Sequence, residues 1–146
     1  VWYDDIPEQW RVSGKLRVRQ QQQTVTAQFV WQQQAERFRF AMAGPLGQGS
    51  VEIHGDAELV TLQSSDGQYL QAPDLSSLLQ AQLGLALSLR QLQTCLWWQR
   101  SQRSWSPWEV VASQFEAFAQ REFAHKLKVV AGQTQLNLVI KQRELL

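Results

Sequence analysis

The chain has 146 residues, 44% of them hydrophobic, and a formal net charge of +1. That is the size of one domain with room for a sizeable core, and residues 1–146 read as a single domain. Near-neutral charge gives no support to a nucleic-acid partner, the lone Cys95 excludes an internal disulfide or a cysteine-based metal site, and no stretch nears the ~18–20 apolar residues of a membrane span.

No signal segment is visible, and the opening "VWYDDIPEQW" reads as a mature or trimmed end. Asp4, Asp5 and Glu8 within it read as a solvated terminus rather than a catalytic carboxylate set. Period-2 alternation then dominates. "VSGKLRVR" puts Val12, Leu16 and Val18 on one face and Lys15, Arg17 and Arg19 on the other. "TVTAQFVWQ" sets Val25, Ala27, Phe29 and Trp31 against Thr24, Thr26 and Gln28. "RFRFAM" sets Phe38, Phe40 and Met42 against Arg37 and Arg39. The glutamine runs at 20–23 and 32–34 flank these strands and read as polar strand ends and turns.

"AGPLGQGS" (43–50) follows, with Gly44, Pro45, Gly47 and Gly49 marking a tight loop. Turn chemistry does not account for Leu46 at its tip. Strands resume at "SVEIHG", "AELVTLQS" and "GQYLQA", separated by hairpin signals at Gly55-Asp56 and Asp66-Gly67.

The period then changes. "PDLSSLLQAQLG" carries Leu75, Leu78, Leu79 and Leu83 at helical spacing between the cap Asp74 and the stop Gly84, predicting a helix over about 74–83. "SLRQLQTCLWWQ" repeats the pattern with Ser88 as cap and Leu89, Leu92, Cys95 and Leu96 on one side, predicting a helix over about 89–98. Cys95 is expected to be a buried, inert thiol. "WEVVAS", "FEAFAQ", "HKLKVV" and "QLNLVIKQ" read as four closing strands. Strands joined by short turns form an antiparallel meander. The order therefore predicts a strongly curved antiparallel sheet with two helices over one face.

Many inward positions are large aromatics: Phe29, Trp31, Phe38, Phe40, Trp97, Trp98 and Trp108. A concave sheet under an incomplete helical lid is a pocket for an apolar ligand. Its expected wall is Val25, Ala27, Phe29, Trp31, Phe38, Phe40, Met42 and Ile53 from the sheet, with Leu78, Leu79, Leu92 and Leu96 from the lid. A simple filled core is the alternative reading of the same residues.

No reaction centre is visible, and no cofactor is implied. His54 and His125 lack partners at metal-ligand spacing. Gly44, Gly47 and Gly49 lack the Lys-Ser/Thr of a phosphate loop, and no serine lies in a nucleophile elbow. The cationic strand face of Lys15, Arg17, Arg19, Arg37 and Arg39 reads as the wet side of a sheet.

Four features stand in a recurring order: Gly14-Lys15-Leu16, then Phe29/Trp31/Gln32, then Pro45-Leu46-Gly47, then a helix over Leu78–Gly84 ahead of a second helix. From about Trp10 onward this order resembles the LolB family, the outer-membrane receptors of bacterial lipoprotein sorting. The chain departs from the family pattern at "WWQRSQRSW" and at "VIKQRELL". The resemblance implies a half-open β-barrel with a helical lid, at the periplasmic face of the outer membrane. It implies lipid anchoring through a cysteine outside this chain. It implies a monomeric transfer protein, not an enzyme, that takes the acyl chains of lipoproteins from the carrier LolA and places them in the outer membrane. On this reading Pro45, Leu46 and Gly47 form a loop that inserts into the lipid surface. A lipocalin-like carrier of a small apolar ligand is the competing class, although Gly14 is followed by Lys15-Leu16 and not by the Gly-x-Trp expected there.

Overall fold

The computed structural model describes residues 6–44 and 49–146 in full, and the backbone of 2–3. The predicted membrane loop Pro45, Leu46 and Gly47 lies outside the described residues, as do Asp4 and Asp5. A short strand pair, β1 (Trp2–Tyr3) and β2 (Ile6–Pro7), precedes the main sheet. Then come β3 (Gln9–Gln20), β4 (Gln23–Gln34), β5 (Arg37–Ala43), β6 (Ser50–Gly55), β7 (Val60–Ser64) and β8 (Tyr69–Ala72). Helices α1 (Leu75–Leu83) and α2 (Leu89–Leu96) follow, and β9 (Glu109–Phe118), β10 (Arg121–Ala131) and β11 (Thr134–Leu145) close the chain.

The sheet has nine strands in the order β8-β7-β6-β5-β4-β3-β11-β10-β9. Every neighbouring pair is antiparallel, and the outer strands β8 and β9 do not meet, so the barrel stays open. Helix α1 lies beside β7 and β8, and both helices meet inner residues of β3, β4, β5 and β11. Hairpins of two residues join most long strands. Ala119 and Gln120 both take the left-handed conformation, with φ of 50° and 66°, a turn whose twist matches that of the flanking strands.

The closing region has three strands rather than the predicted four. "WEVVAS" and "FEAFAQ" form one strand, β9, distorted at Gln114 (φ 57°) but paired with β10 on both sides of it. Residue Gly14 lets two strands approach closely. A Cβ there would lie 2.1 Å from the Val139 carbonyl oxygen on β11. Just beyond, the β3–β11 register shifts between Ile140 and Gln142.

Alternation sorts the sheet into two faces. On β3 the residues Trp10, Val12, Leu16 and Val18 are buried, while Lys15, Arg17 and Arg19 are exposed. The buried faces of β4, β5, β10 and β11 continue the same floor. Its aromatic rings form a chain of contacts. Phe29 meets Phe40, Phe40 meets Trp31, Trp31 stacks on Trp10, and Trp10 meets Trp97 edge-on at 5.5 Å. Trp97 then meets Phe123. Such offset and edge-on pairs add to the burial of the rings themselves.

The lid helices form for local reasons. The Asp74 carboxylate accepts from the Ser77 backbone N–H at 2.8 Å, and Gly84 closes α1 in the left-handed region. The Ser77 backbone N–H, with the Ser77 hydroxyl second, holds the Asp74 carboxyl below the ordinary carboxylate range. Ser88 and Gln91 form a reciprocal capping box at the start of α2. The second helix stops at Leu96, two residues short of the predicted end, so Trp97 and Trp98 follow it as buried loop residues.

Candidate functional site

The space between sheet and lid is lined by twelve apolar residues. Leu16, Val18, Phe29, Trp31 and Phe40 come from β3–β5, and Leu136 and Leu138 from β11. Leu79, Leu83, Leu85, Leu92 and Leu96 come from the helices and the segment between them. The open volume is about 10 Å³, room for a single water. The interior is therefore closed by its own side chains.

Six of the twelve expected wall residues stand around this space: Phe29, Trp31, Phe40, Leu79, Leu92 and Leu96. Ala27, Phe38, Met42, Ile53 and Leu78 are buried in the surrounding core without lining it. Val25 is half-buried and lies instead in a separate polar groove of about 370 Å³ beside Gln80 and Gly84. Leu16, Val18, Leu136 and Leu138 complete the floor. Their alternation was visible in the sequence, but their place under the lid depends on β11 pairing with β3.

Polar bonds at Gln93 and at Arg143 attach α2 to the barrel. Gln93 on α2 donates from Nε2 to the Gln33 Oε1 on β4 at 2.9 Å. The same oxygen accepts from the Trp31 Nε1 at 2.9 Å, and Gln33 Nε2 donates to the Ala35 carbonyl. Both glutamines are buried. Such a network is worth keeping only when each member is paired, and this one is. The second attachment is Arg143. Its Nε donates to the Leu96 carbonyl, the last residue of α2, at 3.0 Å, and its Nη2 to the Ala124 carbonyl at 2.6 Å. The guanidinium lies over the rings of Trp97 and Phe123. Burial pushes its pKa down to about 10, with Glu116 opposing that shift, so it stays charged at neutral pH. A cation at a helix C-terminus also meets the negative end of the helix dipole.

Cys95 sits on α2 facing inward, and burial pushes its thiol up to about 12. Among the described residues no cluster of His, Cys, Asp or Glu is placed to hold a metal ion, and no helix is long and apolar enough to cross a membrane. His54 Nδ1 lies 3.9 Å from Glu52, and His125 Nδ1 3.2 Å from Glu116, neither within such a cluster. The ends of the predicted membrane loop are held together, with Gly44 N–H donating to the Gly49 carbonyl at 2.9 Å.

The family model described as outer membrane lipoprotein LolB matches residues 8–142. The chain is similar to the outer-membrane lipoprotein LolB of Stutzerimonas stutzeri (strain A1501), 32% identical over 91 residues, which are 62% of this chain and 43% of that protein. It is similar to that of Francisella tularensis subsp. tularensis (strain WY96-3418), 36% identical over 77 residues, 53% of this chain and 37% of that protein. It is similar to that of Cellvibrio japonicus (strain Ueda107), 35% identical over 83 residues, 57% of this chain and 41% of that protein. In each case the matched part is less than half of the relative's length.

Proposed function

Because the chain belongs to the outer membrane lipoprotein LolB family, we propose that it takes the acyl chains of lipoproteins from the soluble carrier LolA between its sheet and its lid, and delivers them to the outer membrane. The observation that carries this reading is the wholly apolar lining shared by floor and lid, with the Gln93–Gln33 and Arg143–Leu96 bonds joining α2 to the barrel.

An acyl chain has about fifteen methylenes, and at roughly 0.8 kcal/mol each, exposing one to water costs on the order of 12 kcal/mol. A route through water would be slowed by roughly nine powers of ten. Direct passage between apolar interiors avoids that barrier. A space of about 10 Å³ admits no such chain, so the lid moves for the cargo to bind. Energetics permit it. Breaking the Gln93–Gln33 and Arg143–Leu96 bonds costs about 1–3 kcal/mol each, well under the ~12 kcal/mol of a route through water. Leucines parted from the floor meet methylenes in place of one another, so little apolar contact is lost.

The role of Leu46 rests on the sequence. Burying one leucine in lipid is worth roughly 1.5–3 kcal/mol, too little to retain a protein on a bilayer and enough to favour one orientation there.

The closed interior supports one rival reading, a structural domain with a filled core. Native mass spectrometry with a palmitoylated peptide separates the two, together with amide exchange across α1 and α2. The transfer reading expects one peptide bound per chain and altered exchange confined to the lid. A chain that takes up no peptide, with lid amides unchanged, is a filled domain.

A further inference from the structure

The cations on the outer face of the sheet fall into two groups. At one end two of three are paired: Arg39 Nε lies 2.8 Å from the Glu52 carboxylate and Arg11 Nη1 lies 3.6 Å from Glu144, beside the exposed Arg37. At the other end, among the described residues, none of five is paired. Lys15 and Arg17 on β3 stand opposite Val139 and Asn137 of β11, which stand opposite Lys126 and Lys128 of β10. Arg19 follows two residues on from Arg17. All five side chains are exposed, and none has an ion pair among the described residues.

Strand spacing puts the lysines of β10 about 10 Å from the cations of β3, and successive outward residues of one strand about 7 Å apart. These separations are near the Debye length at physiological salt, so the five charges act jointly on anything that meets them. Across the three rows that hold them, from β9 to β4, the one carboxylate is Glu109, on the edge strand opposite Val130. Sheets ordinarily place opposite charges across from one another. Their absence at this end leaves a patch with an uncompensated field.

Its position is fixed by register. Lys15 shares a row with Gln28, Ala43 and Ser50, the last two being the bases of the 44–49 loop. Arg17 and Arg19 lie opposite Thr26 and Thr24, which run past the end of β5. The unpaired patch thus occupies the end of the sheet from which that loop departs.

We propose that this face, Lys15, Arg17, Arg19, Lys126 and Lys128, docks the chain on an anionic lipid bilayer by its phosphodiester headgroups. The proposal rests on the membrane-delivery reading above. Beside the cations and Glu109 these rows hold Thr, Gln, Asn, Ser and Val and no aromatic residue, so a stacking platform for single-stranded nucleic acid is lacking. A layer of headgroups asks only for charge on a broad, smooth surface. Each basic residue near such a surface raises partition about fivefold.

The test is co-sedimentation of the chain with vesicles of phosphatidylcholine alone, and with phosphatidylglycerol added. Partition onto the anionic vesicles should exceed that onto the neutral ones and fall with salt. The triple variant Arg17→Gln/Arg19→Gln/Lys128→Gln should lose roughly a hundredfold on anionic vesicles, with no change on neutral ones. The matched variant Arg11→Gln/Arg37→Gln/Arg39→Gln, at the other end, should keep the wild-type preference. Equal losses in the two variants would reduce the effect to net charge and overturn the proposal. So would a wild-type chain indifferent to phosphatidylglycerol, including one retained instead by an acidic peptide or an oligonucleotide. Uptake of the palmitoylated peptide is read separately. Its failure alongside intact vesicle partition overturns the transfer reading and leaves the lipid surface standing.

Discussion

Gln93 and Gln33, sixty residues apart in sequence, meet side chain to side chain at 2.9 Å and join the lid to the floor of the barrel. The single oxygen of Gln33 also serves Trp31, so the two glutamines are not equivalent. Replacing Gln93 with Leu removes one donor and leaves that oxygen paired, at a cost of about 1 kcal/mol. Replacing Gln33 with Leu orphans both the Trp31 indole N–H and the Gln93 amide, at a cost of about 2–3 kcal/mol. Urea denaturation of the two variants gives the comparison. Equal losses would mean that the bond is incidental to the network.

Arg143 is expected to matter more for stability than its place in the polar-looking tail "KQREL" suggests. Arg143→Met keeps the length of the side chain but leaves the Leu96 and Ala124 carbonyls without their donor, and should cost about 2–4 kcal/mol. Arg143→Lys should recover little of it, because a single ammonium does not reproduce the planar fork. Faster amide exchange in the last turn of α2, in both variants, is the accompanying sign. Unchanged exchange there would remove the residue from any part in holding the lid.

Gly14→Ala places a methyl group 2.1 Å from a backbone oxygen of the neighbouring strand. No side-chain rotation relieves that contact, so β3 and β11 must separate. A loss of about 3 kcal/mol, at the upper end of overpacking costs, is expected in the urea midpoint. A variant of wild-type stability would show that the strands part easily at this point.

Cys95 should resist thiol reagents in the folded chain, since it is buried and its thiol is pushed up to about 12. At neutral pH almost none of it is the reactive thiolate. Modification should therefore track opening of α2, and Gln33→Leu should accelerate it at a urea concentration where the wild type remains folded. Rapid labelling of the native wild type would contradict both the burial and the closed lid.

Leu46→Glu is expected to fold as the wild type does and to accept a lipoprotein from the carrier, while failing to deliver it to liposomes. A charge at the tip adds a few kcal/mol, about 2–4, to insertion in lipid. Acceptance and delivery are measured apart. Normal delivery would make the tip only a turn, and lost acceptance would move Leu46 to the carrier interface.

Much of this was readable from the chain because the causes are local. Alternation marks the buried side of β3, β4 and β5, and the caps Asp74, Gly84 and Ser88 set both ends of α1 and the start of α2 within a residue. What escaped reading depends on distant partners. Gln33 follows the inward phase of Phe29 and Trp31, yet nothing near it announces Gln93. Leu136, Leu138 and Ile140 face inward at even positions, whereas Arg143 is odd-numbered and should face water. The register shift between Ile140 and Gln142 reverses the phase and carries the guanidinium inside. Gln114 looked like a gap between two strands because a left-handed residue interrupts the pattern, while β10 bridges it. The volume left between floor and lid is a small difference between curvature and side-chain bulk, which no periodicity reports.

The pairing of β3 with β11 has a consequence for how the chain is made. Strands β3 to β8 form a run of neighbours that pair as they emerge, and β9 to β11 form a second such run. The seam between them joins Gln20 to Thr134 and Trp10 to Leu145. Until that contact of high sequence separation forms, the first run lacks the wall supplied by Leu136 and Leu138, and β3 remains a long unpaired edge. Closing so large a loop is the slow kind of step in folding, and its intermediates are the aggregation-prone kind. A nascent chain halted before β11 would therefore present an apolar floor and a free strand edge together, the form that a holding chaperone would have to shield.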